Sequence, residues 1–285
     1  MRKFLASLIV SFTKILTMML TPERRADVLS RVCSNLGAEL CVTLPNGKRL
    51  IFYDKTYSTF NHIRFLQNTE KDTISWIESM PEDGMLWDIG ANIGFFSLYA
   101  ASVLGGNGVR VVGFEPGASS YGALNRNIEG NAMANHVVAY CVALAGATSI
   151  GRMNMGEAGL GTDAGGWYNG FESELFDIID GSNIETIFQQ GCVGFSIDDF
   201  VQIFQAPLPT HVKMDVDGIE AEILRGGRRT LSARSVQSMI IEMEGDLDSD
   251  RNLELFSLMD ELGFVPRPRQ ASDLRNVIFD KHSVP

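Results

Sequence analysis

Cysteine is scarce in this chain: four in 285 residues, at Cys33, Cys41, Cys141 and Cys192, with no C-x-x-C spacing. That scatter implies neither a zinc site nor a disulfide framework, and it fits a reducing cytoplasm. Cys141 lies in an apolar, strand-like run and reads as a buried thiol. Basic residues are also short, 24 Lys and Arg against 35 Asp and Glu, for a net charge of -11. A nucleic-acid partner requires a basic face, so no nucleic acid is expected. Nor is there an unbroken apolar run of the roughly twenty residues that a spanning helix needs. No small-residue cleavage site follows a clean apolar core, which argues against a signal peptide. What remains is 45% hydrophobic residues and no disordered tail, which suits a folded globular protein, and 285 residues fit one large α/β domain with extensions.

The most informative stretch is Trp87-Asp88-Ile89-Gly90-Ala91-Asn92-Ile93-Gly94. An apolar run from Met85 to Ile89 passes into a turn with glycines at Gly90 and Gly94, and a helix-like segment from Phe95 to Leu104 follows. In an open α/β sheet this order places a ligand at the carboxyl end of the strand. Glycines let the backbone approach the ligand, and the new helix directs free N–H groups to it. The spacing is Asp-x-Gly-x-x-x-Gly, not the dinucleotide G-x-G-x-x-G, and a pyrophosphate would be repelled by Asp88. A second strand, Val109 to Glu115, ends in another acid, the usual partner of ribose hydroxyls in such units. An adenosine with a cationic amino-acid tail satisfies both acids, and S-adenosyl-L-methionine is that molecule. A generic βαβ turn with a helix-capping Asp88 is the plainer alternative.

Asp88 to Gly94, Gly113-Phe114-Glu115-Pro116, Leu124-Asn125-Arg126-Asn127-Ile128 and Val212-Lys213-Met214-Asp215-Val216-Asp217-Gly218-Ile219-Glu220 resemble FkbM-type methyltransferases. Ile223-Leu224-Arg225-Gly226-Gly227 and Ile240-Ile241-Glu242 extend the likeness over approximately residues 60 to 265. The resemblance implies a Rossmann-like seven-stranded methyltransferase sheet with helices on both faces. It also implies O-methylation, often of a sugar hydroxyl on a glycan, glycolipid or glycosylated natural product. It sets Asp88, Gly90, Ala91, Asn92, Gly94, Glu115, Pro116, Ala143 and Asp215 around the cofactor. Glu70, ahead of the first strand, would face the cofactor's methionine end; a solvated surface glutamate is its alternative. His62 and Arg64 are local candidates for the border of a substrate pocket.

Strand and helix periods alternate: strand 85–89, helix 93–104, strand 110–115, helix 118–130, strand 136–142. This predicts a parallel sheet covered on both faces. Regularity lapses between Ala143 and Pro209, where Gly156, Gly159, Gly161, Gly165, Gly166 and Gly170 are interleaved with Trp167, Tyr168 and Phe171. A long irregular loop in a compact domain is usually functional, so a lid or a sugar-stacking wall is expected, or else a surface insertion. Within it, Ser196 with Asp199 caps a short helix, Ile197 to Phe204. After the strand at Val212 to Asp215 comes a helix from Ala221 to Leu231. The chain then reads as a strand, Val236 to Met243, a helix, Leu253 to Leu262, and an antiparallel pair, Phe264 to Arg267 with Val277 to Phe279.

Asp215, Asp217 and Glu220 gather acid where an acceptor hydroxyl should sit, and they are the candidate catalytic residues. Clustering can raise one carboxyl pKa for general-base work, or it can hold a divalent cation. Asp215 with Glu242 or Glu244 could supply ligands for such a cation, and the residues do not choose between the routes. Helix capping by Asp217 and solvation of Glu220 are the structural alternatives. His211, at the entry end of its strand, reads as structural. Two other classes stay open: a non-catalytic cofactor-binding partner in glycan assembly, and a nucleotide-dependent oxidoreductase on the same topology.

The amino terminus differs in character. Phe4, Leu5, Leu8, Ile9, Phe12, Ile15, Leu16, Met19 and Leu20 recur at helical spacing, with Lys3, Ser7, Ser11, Lys14 and Thr17 opposite. Residues 1–25 carry +4 against -11 for the whole chain, which leaves -15 on the remainder. A basic amphipathic helix over residues 3–20 on an acidic protein suits peripheral contact with the cytoplasmic membrane face. Packing on its own domain or across a homo-oligomer interface suits it equally. Leu40 to Leu44 and Arg49 to Tyr53 read as a hairpin about Asn46-Gly47. Residues 1–60 thus form an extension and 61–285 the methyltransferase-like domain, with 143–209 inserted.

Overall fold

The computed structural model describes residues 2–35, 39–44, 47–53, 63, 69–105, 108, 110–156, 169–176, 183–216, 218–243, 246–268 and 276–282. Asp217, Glu244, His62, Arg64, Asn46, Trp167, Tyr168 and the glycines at 159, 161, 165 and 166 lie outside them.

The chain forms two compact units, Met1–Glu39 and Leu40–Pro285. The first holds helices α1 (Arg2–Thr17) and α2 (Pro22–Asn35). No helix among the described residues is long and apolar enough to cross a membrane.

The second unit begins with the expected hairpin, β1 (Leu40–Thr43) and β2 (Arg49–Phe52), paired antiparallel. Next come α3 (Lys71–Glu78), β3 (Leu86–Ile89), α4 (Phe95–Val103), β4 (Val111–Phe114), α5 (Ala118–Gly130) and β5 (Val137–Tyr140). The region 143–195 holds β6 (Ala143–Leu144), β7 (Ser149–Met155), β8 (Asn169–Phe171), β9 (Leu175–Phe176), β10 (Asn183–Ile184) and β11 (Phe188–Phe195). The chain continues through α6 (Ile197–Phe204), β12 (His211–Met214), α7 (Glu220–Gly226), α8 (Arg228–Leu231), β13 (Ser238–Glu242), α9 (Asp250–Glu261), β14 (Phe264–Pro266) and β15 (Asn276–Lys281).

The main sheet has seven strands in the order β14-β15-β13-β12-β3-β4-β5. Strands β13, β12, β3, β4 and β5 are parallel, and β15 is antiparallel to both neighbours. The order reverses between β3 and β12, so their carboxyl ends flank the switch point where ligands bind. Alternation puts successive side chains on opposite faces. Leu86, Val111 and Ile240 join a buried cluster with α4 and the hairpin, and Trp87, Val112 and Val212 join another with α7 to α9. The expected pair of faces, each covered, follows from that alternation.

Two asparagines near the end of α5 tie down the hairpin. Asn131 accepts from the Ile51 amide and donates to its carbonyl, at 2.8 and 2.7 Å, and Asn127 accepts from the Tyr53 amide at 2.8 Å. The single helix expected from Ala221 to Leu231 is broken at Gly227, whose Cβ would lie 2.9 Å from Leu231 and 3.0 Å from Ile197.

The irregular region is more ordered than its glycines suggest. Four of its strands form a sheet in the order β6-β11-β7-β8. Glycine weakens a strand because it packs nothing, but Gly194 lies beneath the Phe171 ring, 2.6 Å from where its Cβ would be. The aromatic ring thus fills the space that a side chain would have occupied. Cys141 is another correction: it lies just past β5 and is exposed, whereas Cys192, inside β11, is the buried thiol. The apolar run continues past Cys141, but β5 ends at Tyr140, itself 41% exposed, so the next residue lies at the surface. The capped helix is as expected, with the Ser196 hydroxyl accepting from the Asp199 amide at 3.1 Å.

Candidate active site

The turn after β3 is built on left-handed residues: Gly90 at φ 79°, Asn92 at 48° and Gly94 at 88°. A side chain at Gly90 is impossible, since its Cβ would fall 1.8 Å from the Asp215 carbonyl oxygen. That contact joins the turn to the end of β12, which the parallel register brings alongside β3. The Gly90 and Ala91 amides both donate to the Phe114 carbonyl at 3.0 Å, which fixes the turn to β4 as well.

Glu115 follows β4 and is 8% exposed. Its carboxylate accepts from the Asn92 amide at 2.8 Å and the Gly117 amide at 2.7 Å. Burial pushes its pKa up to about 7, against the pull of those amides, with Asp88 and Asp215 adding repulsion. A carboxyl held above its ordinary value is more stable in the fold when protonated. The contribution is fully present below about pH 4.5 and is lost as pH rises through about 7. Glu115→Gln is expected to flatten the stability profile over that window by on the order of 3 kcal/mol. Urea denaturation of both proteins across the window checks it, and parallel profiles would refute the assignment.

Asp88 is 1% exposed. Ser97 donates to its Oδ2 at 2.6 Å, and the Lys213 ammonium stands 3.8 Å from its Oδ1. Burial raises the Asp88 pKa, while Lys213 and Ser97 oppose the rise. Lys213 is in register with Asp88 on the adjacent strand. It is buried too, with its Nζ 2.9 Å from Asp215 Oδ2 and 5.0 Å from the centre of the Phe96 ring. Burial works against the ammonium, but Asp215 and Asp88 outweigh it and raise the Lys213 pKa. A buried lysine so flanked stays charged. Asp215 is 39% exposed at its side chain and is the open end of this Asp88–Lys213–Asp215 row.

Glu70 stands at the N-cap of α3 and accepts from Thr73 Oγ1 at 2.9 Å and from Asn276. Asn276 begins β15 opposite Glu242, so Glu70 reaches the carboxyl end of β13, and its charge acts on Lys213. Glu220 opens α7 and is buried, accepting from Arg251 at 2.8 Å and the Gly218 amide at 3.3 Å. Its oxygens thus serve the helix start and α9. Ala143 is buried in β6, in the cluster of Met153, Met155 and Phe171. The Pro116 carbonyl accepts from Gln190 Nε2 at 2.7 Å, and Gln190 Oε1 accepts from the Ala118 amide at 2.8 Å. The small sheet therefore braces the Glu115 turn. His211 is buried at the opposite end of β12, edge-on to Trp76 with ring centres 5.6 Å apart. Burial drops its pKa to about 4, as suits a neutral structural histidine.

Sequence reasoning gave no role to Lys213, Ser97 or Gln190. Lys213 had a signal: a cation inside a strand buried on both faces must find a carboxylate. Ser97 and Gln190 had none, because each acts on a residue that only the fold brings near.

The unsatisfied buried side-chain atoms of the turn are acceptors. Asp88 Oδ1 and Asn92 Oδ1 are buried without a hydrogen-bond partner, and Glu115 lies behind them. Such a cradle fits a ligand rich in hydroxyl and ammonium donors and disfavours a pyrophosphate. Among the described residues, no group of three or more His, Cys, Asp or Glu could hold a metal ion.

A largely parallel sheet with one antiparallel strand set between its edge strand and the rest, and with a glycine turn and two acids at its switch point, is the architecture of Rossmann-like methyltransferases. Residues 88–266 match the Methyltransferase FkbM domain, and the chain belongs to that family. It is 25% identical over 189 residues to the hexuronic acid methyltransferase AglP of Haloferax volcanii, covering 66% of this chain and 68% of the relative. A methyltransferase FkbM from Methylobacillus flagellatus KT is 16% identical with a TM-score of 0.45, covering 70% of this chain. The match spans only 44% of that structure's chain. Magnesium protoporphyrin IX methyltransferase from Synechocystis PCC 6803 is 11% identical with a TM-score of 0.43, covering 76% and 79% of the two chains.

Proposed function

We propose that this protein is an S-adenosyl-L-methionine-dependent O-methyltransferase whose acceptor is a sugar hydroxyl of a glycan, glycolipid or glycosylated small molecule. The observation that carries the reading is the acceptor-lined turn, with Glu115 behind Asn92 and Asp215 open beside Gly90. The sugar acceptor is supported by the likeness to AglP. Cytoplasmic placement accords with free Cys41, Cys141 and Cys192.

In this reading Glu115 accepts from the ribose hydroxyls, and Asn92 and the amides of the turn surround the nucleoside. Pro116 and Ala143 border it. Asp215 and Glu70 give the amino-acid end its negative surroundings, and Asp88 acts through its ion pair with Lys213 and through an Oδ1 that accepts no hydrogen bond. When bound, the cofactor supplies a methyl group already activated by a sulfonium. The protein's share is to align the acceptor oxygen and to receive its proton. Asp215 and Asp217 are the candidate proton acceptors; Glu220, held by Arg251, supports the start of α7. The rival route gives the hydroxyl to a divalent cation held by Asp215 with Glu242 or Glu244.

Incubation with methyl-labelled donor and hexuronic-acid-bearing glycans is expected to label the glycan, and EDTA is expected to leave that labelling intact. Labelling abolished by EDTA and restored by a divalent metal establishes the cation route instead. In a thermal shift assay S-adenosylhomocysteine should protect the protein and NAD should not. Protection by NAD alone overturns the cofactor assignment. Protection by S-adenosylhomocysteine with no labelled sugar in any envelope extract leaves a non-catalytic binding partner.

A further inference from the structure

Helix α1 exposes a row of large apolar side chains. Projected down its axis, Phe4, Leu5, Leu8, Phe12, Ile15 and Leu16 fall on one arc, and the opposite arc carries Lys3, Thr13, Lys14 and Thr17 with a single larger apolar residue, Val10. Here Thr17 is 3% exposed, while Phe4 is 68%, Phe12 61% and Ile15 62% exposed. The threonines are satisfied internally, Thr17 Oγ1 donating to the Thr13 carbonyl at 2.8 Å and Thr13 Oγ1 to the Ile9 carbonyl at 2.9 Å. Large exposed apolar patches of this kind mark interaction surfaces.

We propose that α1 docks this protein on an anionic lipid surface, lying in the plane of the bilayer with its apolar arc among the acyl chains. Charge selects the partner. The first acidic residue of the chain is Glu23, so residues 1–22 carry only positive side chains, Arg2, Lys3 and Lys14. A second copy of α1 would meet the same charges with no acid to pair them, whereas an anionic headgroup layer attracts them. The remaining -15 on residues 26–285 is repelled by the same layer, so contact is confined to the amino-terminal unit. The helix is too short and too polar on one side to span. This docking is independent of which acceptor the active site takes.

Full-length protein should co-sediment with phosphatidylcholine vesicles containing phosphatidylglycerol, and far less with phosphatidylcholine alone. Raising the salt should weaken the first and leave the second unchanged. Lys3→Gln and Lys14→Gln should each lower binding to the anionic vesicles roughly fivefold. Leu8→Asp with Phe12→Asp should lower it by more than about a hundredfold. Circular dichroism and S-adenosylhomocysteine binding report whether the variants remain folded. No vesicle binding by the wild-type protein overturns the proposal, as does equal binding by the folded Leu8→Asp/Phe12→Asp protein. Concentration-dependent self-association without vesicle binding, abolished by the same pair, overturns it in favour of a second copy.

Discussion

Lys213→Met is expected to cost about 3–5 kcal/mol of folding stability, because it strands a buried carboxylate. Asp88 is 1% exposed, and no other cation lies within 4 Å of it among the described residues. A methionine matches the lysine stem in volume, so the loss reflects charge and not a cavity. Asp88→Asn in the same chain should return most of the stability, since an amide needs no counter-ion and can still accept from Ser97. The double variant separates folding from function. It is expected to unfold in urea close to the wild-type midpoint, yet to bind S-adenosylhomocysteine more weakly, because Asp215 has lost the ammonium 2.9 Å away that positions it. A Lys213→Met protein as stable as the wild type would refute the buried pair as a structural element.

Gly90→Ala is expected to abolish cofactor binding and to destabilise the fold by more than about 3 kcal/mol. Its Cβ would stand 1.8 Å from the Asp215 carbonyl oxygen and 2.9 Å from the carbonyl carbon, and its φ is 79°. Neither clash can be relieved by turning a side chain, for both atoms are backbone. The strands must part, which moves Asp215 away from the turn. Gly191→Ala is the matched control, since nothing lies within 4 Å of its Cβ. It should change stability by less than about 0.5 kcal/mol. Calorimetric titration with S-adenosylhomocysteine checks both, and wild-type affinity in Gly90→Ala would overturn the placement of the cofactor at this turn.

The parts of the fold that sequence reasoning reached are those governed by local pattern. Strands β3 and β4 are short apolar runs ending in acids, and the glycines at 90 and 94 announce a turn whatever the rest of the chain does. The Ser196 cap and the Gly47 hairpin are likewise local. What escaped is long-range. Region 143–195 reads as irregular from its many glycines, and the pairing of β6, β7, β8 and β11 that orders it, with Phe171 covering Gly194, is long-range. Gln190 has no sequence signal for its hold on the Pro116–Ala118 turn, 74 and 72 positions away. Glu220 and Asp215 look alike as acids near a strand end, yet one is buried against Arg251 at 2.8 Å and the other, held by Lys213 at 2.9 Å, keeps 39% of its side chain exposed.

By itself the sequence determined the order of strands and helices, the glycine turn and the presence of acids at strand ends, because spacing and side-chain size dictate these residue by residue. Tertiary structure decided which acids meet and what partners them. Parallel pairing sets Lys213 beside Asp88, and burial makes a charge in that row depend on its neighbour across 125 positions of chain. The charge state of the site is thus a property of the sheet register, which no single segment specifies.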